Sequence, residues 1–370
     1  MVFQIDVCFA IVKALPASLR RQANQNLVDA IGPQHIPEVH EARLIAVGGY
    51  NSVFYVKLHE PMEIAKPGYL SRPPVSEFVI RLPSKDALLP HQIINDVACR
   101  EYVAEKLPHI PVPRVYFYRA TDDPDTSFTV EEFVDCPPLS SMWMSLSLSQ
   151  KNTVAQKLAS TIVDLAEIPF DMIGGLDSSW SSAPTVEGCK LFKGRGKFHN
   201  NQCYPIGPYK SIKEFILSSY DREIYYYTHG AEDIDMDFFD TVALPDFIES
   251  LKRKRTALAE RHIPDEPIVL THGDFHGRNI LVRGDQIAAI IDWDFAGSYP
   301  LSETLGGLTV GVLDVDSEET YMEYLKWGEK IRDLIKHEAQ ERHWDRDDID
   351  LLMGDGDTEL GLSRQEMLPF

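Results

Sequence analysis

Cysteine is scarce in this chain, and basic residues are outnumbered. The five cysteines, Cys8, Cys99, Cys136, Cys189 and Cys203, are an odd number with no C-x-x-C spacing. That pattern argues against a disulfide framework or a zinc site and for reduced thiols in a cytoplasmic protein. Lys and Arg number 36 against 57 Asp and Glu, a net charge of −21, which argues against nucleic acid or an anionic membrane surface as partner. A cationic substrate would be drawn to such a surface, although solubility accounts for most of the charge. No apolar run approaches the roughly 18 residues of a membrane span. Met1 to Leu15 has an apolar stretch but no basic n-region or clean cleavage site, so a signal peptide is not expected. There is no internal repeat, no G-x-G-x-x-G and no P-loop. Hydrophobic residues are not lacking: at 44% of 370 they suffice for a substantial core, in two domains or one large two-lobed one.

The most informative stretch is Thr271-His272-Gly273-Asp274-Phe275-His276-Gly277-Arg278-Asn279, completed by Ile290-Ile291-Asp292-Trp293-Asp294. Three apolar runs, Ile268 to Leu270, Ile280 to Val282 and Ile287 to Ile291, read as short buried strands, with Gly284-Asp285 as a turn. Asp274, Asn279 and Asp292 therefore stand at strand ends. Phosphoryl transfer needs such a set: a carboxylate to accept the proton of an attacking hydroxyl, and an amide oxygen and second carboxylate to hold Mg²⁺ ions that bridge the nucleotide phosphates. Asp274 fits the base, and Asn279 and Asp292 fit the metal ligands. Taken singly, each is also a normal turn or strand-end residue; it is the spacing of all three that points to chemistry.

His272-Gly273-Asp274-x-x-x-x-Asn279 followed by Ile291-Asp292-Trp293-Asp294 resembles the signature of the aminoglycoside phosphotransferase and choline kinase superfamily. Protein kinases carry a related His-Arg-Asp loop and Asp-Phe-Gly segment. Here Gly273 stands where their Arg would be and Trp293-Asp294 where Phe-Gly would be, departures that favour the small-molecule branch. The resemblance is specific over 268–294 and weaker across the rest of 43–300. Within the superfamily, the Arg81 strand and the Ile291-to-Asp294 ending are most like the branch common in filamentous fungi.

The resemblance implies an α+β, two-lobed protein-kinase-like fold: a small antiparallel-sheet N-lobe over 41–134 and a larger, mainly helical C-lobe over 135–370, which holds the catalytic loop at 271–294. It also gives meaning to weaker signals upstream. Two β-rich runs flank Gly48-Gly49-Tyr50-Asn51-Ser52. Such a hairpin can lay backbone N–H groups over phosphates, and a plain Gly-Gly turn would look the same. The superfamily's position for its phosphate loop favours Gly48, Gly49, Asn51 and Ser52 as nucleotide-binding residues. Kinases place a cation, usually Lys, on the third strand of the small lobe and pair it with a helix glutamate. Here the cation is Arg81 and the expected partner Glu101, with Glu105 one turn on as the competing candidate. The hinge is expected at Glu132 to Val134, whose backbone groups would meet the nucleotide base; an ordinary edge strand would read alike.

Elsewhere the pattern predicts helices over 150–168, 212–227 and 322–342. Residues 1–40 read as an N-terminal extension with a helix from Ser18 stopped at Gly32-Pro33. Residues 61–74 and 170–211 read as irregular. Residues 221–249 hold nine acidic residues against one Arg, either a solvated face or a cation-binding wall. The tail from Asp345 is acidic and is expected to be partly disordered.

The resulting expectation is a cytoplasmic enzyme that transfers the γ-phosphate of ATP, with GTP as the alternative, to a hydroxyl of a small molecule, potentially a cationic or amino-containing one. Two rivals differ in class. One is a catalytically silent nucleotide-binding module, suggested by Arg81 in place of Lys. The other is a protein kinase, disfavoured by the lack of an Ala-Pro-Glu segment after Asp292.

Overall fold

The structure, a computed structural model, describes residues 6–13, 38–62, 74–186, 194–306, 308–354 and 359–368. The helix expected from Ser18 and most of the loop at 61–74 lie outside these. The chain divides into two compact units, 1–93 with 113–134, and 94–112 with 135–370.

The first unit is a five-stranded antiparallel sheet in the order β1-β2-β3-β5-β4, from β1 (Val39–Val47), β2 (Asn51–Met62), β3 (Val75–Pro83), β4 (Val115–Arg119) and β5 (Phe128–Glu132). β3 lies at the centre, and its Phe-Val-Ile-Arg-Leu run is buried throughout, as a strand covered on both faces requires. Phe54, Val56, Phe78, Ile80 and Val130 form the core. A helix over 6–13, α1, adds Cys8, Ile11 and Val12 to it. Their three-and-four spacing puts them on one helical face, so part of the segment read as an extension is built into this unit. Burial pushes the Cys8 thiol up to about 12, so it packs as a small hydrophobe.

Helix α2 (His91–Lys106) contributes residues 94–106 to the second unit. That unit is mainly helical. A short α3 (Leu139–Met142) precedes α4 (Leu148–Ala166), which is started by a Ser147–Gln150 capping box. α4 shares a core with α7 (Glu318–Glu341), in which Trp143 and Trp327 meet edge to face at 5.1 Å among Leu158, Ile162 and Ile331. A second core joins α5 (Ile212–His229) and α6 (Leu244–Glu260) through Phe215, Tyr226, Tyr227 and Leu251. The acidic tail is not simply irregular. α8 (Arg346–Met353) buries Ile349 and Leu352, and α9 (Glu359–Glu366) buries Leu360. Apolar residues spaced along these helices outweigh the charge between them.

Seven short strands complete this unit: β6 (Pro169–Phe170), β7 (Gly175–Leu176), β8 (Ser182–Ala183), β9 (Ile268–Thr271), β10 (Ile280–Arg283), β11 (Gln286–Ile290) and β12 (Gly297–Pro300). Two antiparallel ladders matter most. β9 pairs with β12 so that Thr271 faces Gly297, and β10 pairs with β11 so that Ile280 faces Ile290. These registers carry the loop 272–279 and the segment 291–296 to the same place.

Candidate active site

Ile291 N–H donates to Asn279 O at 2.9 Å, one step beyond the β10–β11 ladder. Asn279 in turn directs its side chain at Asp274: Nδ2 donates to the Asp274 backbone O at 2.9 Å and to carboxylate Oδ2 at 3.1 Å. This leaves the Asn279 Oδ1 carbonyl as the atom to offer a cation. The other carboxylate oxygen of Asp274 lies 3.2 Å from His276 Nε2. His276 Nδ1 accepts from Arg278 N–H at 3.2 Å, so its proton resides on Nε2, facing Asp274.

His272 is fixed in the same way. Asp274 N–H donates to its Nδ1 at 3.3 Å, and Nε2 lies 3.1 Å from Ile291 O, to which it donates. The ring is 2% exposed and packs 4.5 Å from the Trp293 ring. Burial holds its pKa down to about 4, against the opposing pull of Asp292 and Asp274. His272 is thus a neutral strut between the two segments. Gly273 has φ +78, and a Cβ there would lie 2.2 Å from Phe295 O. The arginine that protein kinases place at this point cannot be accommodated in this backbone.

Asp292 also adopts a left-handed φ, +64, a conformation that Asp tolerates better than most residues but that must be held by its surroundings. The Ile291–Asn279 bond restrains it on one side. On the other, the fully buried Trp293 donates Nε1–H to Ile290 O at 2.9 Å, which a Phe at this position could not do. Further on, buried Asn95 of α2 donates Nδ2–H to the carbonyls of Asp294 at 3.2 Å and Ala296 at 2.7 Å, and its Oδ1 accepts from Leu176 N–H at 2.7 Å. Sequence reasoning missed Asn95; its one signal was a polar residue one turn before the apolar pair Ala98 and Cys99.

The metal-ligand candidates are hard oxygen donors. Among the described residues no group of three His, Cys, Asp or Glu forms a cage. An amide oxygen with one carboxylate matches Mg²⁺, which takes few protein ligands and completes its shell with water and phosphate oxygens. The residues therefore fit that ion.

The other sequence candidates belong, apart from Glu101, to the first unit. Gly48 and Gly49 form the tip between β1 and β2, closed by Gly48 N–H to Asn51 O at 2.8 Å. Ser84 holds the tip: its N–H donates to Tyr50 O at 2.6 Å and its Oγ to Gly49 O at 3.3 Å. With these carbonyls engaged, Gly49 N–H has no partner among the described residues. Asn51 and Ser52 begin β2, opposite Pro83 and Leu82. Arg81 lies on β3, 8% exposed, between Val53 and Thr129. Glu101 is a half-buried residue of α2 in the second unit. At the expected hinge, Glu132 N–H is already given to Arg114 O at 2.9 Å, and its Oε2 accepts from Arg114 N–H at 3.2 Å. Of these two candidates, only Val134 keeps a backbone N–H that no described residue takes.

In the second unit the 272–279 loop borders a cleft of ≈ 1130 Å³. His272 to His276 form one wall; residues 302–306, 308–311 and 313–315 and residues of α9 form others.

The model of the APH phosphotransferase enzyme family matches residues 42–328. The chain belongs to that family. No curated protein matches the sequence. Among solved structures, the chain is similar to aminoglycoside phosphotransferase APH(4)-Ia in a ternary complex with AMP-PNP and hygromycin B, at 14% identity and TM-score 0.48, covering 94% of this chain and 88% of that one. It is also similar to the gentamicin complex of APH(2″)-IIa, at 13% identity and TM-score 0.45, covering 93% and 94%. No helix among the described residues is long and apolar enough to cross a membrane.

Proposed function

We propose that this protein is a cytoplasmic ATP-dependent phosphotransferase that moves the γ-phosphate to a hydroxyl of a small molecule, with GTP as the alternative donor. Residues 41–134 act as the nucleotide-binding lobe and 135–370 as the catalytic lobe. The observation that carries the reading is the arrangement of Asp274: a half-buried carboxylate held by Asn279 Nδ2 and His276 Nε2 at the wall of a cleft large enough for an acceptor.

Asp274 orients the acceptor hydroxyl and takes its proton as the bond to phosphorus forms. Asn279 Oδ1 and Asp292 hold Mg²⁺, which when bound neutralises charge on the phosphate oxygens. Neutral His272 keeps the two carboxylates in register without adding a positive charge that would compete with the ion. Gly48, Gly49, Asn51 and Ser52 approach the phosphates through backbone groups, Arg81 contacts them as a cation oriented by Glu101, and Val134, with Glu132 beside it, lines the base site. A silent nucleotide-binding module remains the second reading, because Arg81 stands where kinases use Lys.

Nucleotide titration and acceptor-dependent ATP consumption test this together. Asp274→Asn is expected to keep nucleotide affinity and lose about 10²–10⁴-fold in turnover. Asp292→Ala is expected to weaken magnesium-dependent nucleotide binding more than Asn279→Ala, because it removes a full charge. Near-normal turnover in Asp274→Asn, or unchanged affinity in Asp292→Ala, refutes the assignment.

A further inference from the structure

The acidic composition suggests a cationic acceptor, but the cleft beside Asp274 is not acidic in effect. Among its described lining residues the carboxylates are Asp274, Glu303 and Asp314. Glu303 is paired with Arg364 at 2.6 Å, and Asp314 with Arg278 at 3.6 Å, and both arginines also line the cleft. Two carboxylates and two guanidinium groups thus cancel, leaving Asp274. None of the nine acidic residues of 221–249 lines the cleft. Asp221 is bound by Arg255, Glu223 by Arg195 and Arg222, and Asp233 by Lys197. Those charges serve the packing around α5 and α6, so the cation-binding wall considered from the sequence is not part of this cleft.

What the cleft offers instead is apolar surface. Leu308, Val315 and Leu362 line it while 71%, 50% and 39% exposed. Phe275, Phe295 and Tyr324 supply flat faces around the catalytic loop. Large side chains left open to water at a concave site are the mark of a ligand with apolar surface to bury. An ammonium group entering here would meet, besides Asp274, two carboxylates that already have guanidinium partners and would have to compete with those arginines for them.

From this balance of charge and apolar surface we infer that the acceptor is an uncharged hydroxylated molecule with an aromatic or aliphatic body, and that Arg278 and Arg364 act as specificity residues against polycations. The inference rests on the phosphotransferase reading for the word acceptor, but the ligand class can be tested by binding alone.

The test uses the full chain with magnesium and AMP-PNP, titrated with the neutral flavanone glycoside naringin, the neutral aryl glucoside salicin and the polycation gentamicin. A neutral glycoside is expected to bind at least about tenfold more tightly than gentamicin, with little change between low and high salt, because no ion pair is screened. The double variant Arg278→Gln/Arg364→Gln removes the guanidinium groups paired with Glu303 and Asp314. It is expected to bind gentamicin about tenfold more tightly than the unmodified chain, in a salt-sensitive way, with neutral binding nearly unchanged. Both arginines are solvent-accessible at 64% and 42%, so the variant should fold. The inference is overturned if the unmodified chain prefers gentamicin, if no neutral glycoside binds, or if the double variant gains nothing. Phosphoryl transfer is read separately: a bound neutral glycoside that is never phosphorylated upholds the ligand class and counts against the phosphotransferase reading.

Discussion

Gly273 and Gly277, in the loop after β9, have backbone oxygens where a side chain would begin: a Cβ would meet Phe295 O at 2.2 Å and Val312 O at 2.3 Å. Gly48 and Gly49, in the hairpin between β1 and β2, do not. A Cβ on Gly48 would find only Asn51 O, at 3.7 Å, and one on Gly49 nothing within 4 Å, and neither has a positive φ. The same residue type is present for opposite reasons. In the loop after β9, packing against the rest of the second unit demands glycine. In the hairpin no neighbouring atom demands it, and the function proposed above would use that space for a phosphate approaching a backbone N–H.

The largest effect should come from Gly273→Ala. Left-handed backbone strain adds to a clash with main chain that cannot swing away, for a loss of roughly 2–5 kcal/mol in urea unfolding. A loss under about 1 kcal/mol would mean that the loop yields easily, and the contrast with the hairpin would disappear.

The next effect is electrostatic. His272 beside Gly273 has an ordinary value of 6.5 when unfolded and about 4 when folded. Between those values the unfolded chain binds the extra proton, so stability falls as pH drops from about 6.5 to 4 and is unaffected by this group above about 7. The full contribution is roughly 3 kcal/mol. Unfolding of the chain without nucleotide, compared with His272→Gln across that range, isolates it. Parallel pH profiles for the two proteins would show that His272 is not a buried neutral strut.

The smallest stability effect belongs to Gly49→Ala, expected within about 0.5 kcal/mol of the unmodified chain. Its consequence should appear in nucleotide binding instead, weakened by roughly three- to tenfold, the scale of one hydrogen bond lost or displaced. Unchanged affinity would remove the hairpin tip from the site and leave Gly49 a turn residue.

The chain's own order of residues was enough to single out Asp274, Asn279 and Asp292 as candidates, and the fold brings the segments that carry them together. Asp274, Asn279 and Asp292 each follow or precede an apolar run, and strand runs, turn signals and fixed offsets are local patterns that need no third dimension to be seen. The helices at 148–166, 212–229 and 318–341 were visible for the same reason, their apolar residues recurring every three or four positions. Other features depend on partners far along the chain. Asn95 reads as a stray polar residue in a helix, yet it clamps Asp294 across a separation of 199 residues. Glu303 and Asp314 read as two more acids in an acidic protein until Arg364 and Arg278 are brought against them. The tail reads as charge-rich, but Leu360 and its neighbours find a core prepared by α5 and α6, and its last helix becomes a wall of the cleft. Periodicity fixes which face of an element is apolar. Which charges cancel, which histidine is dried out and which surface is left for a ligand are decided by what packs against that face, and only the folded chain brings those groups together.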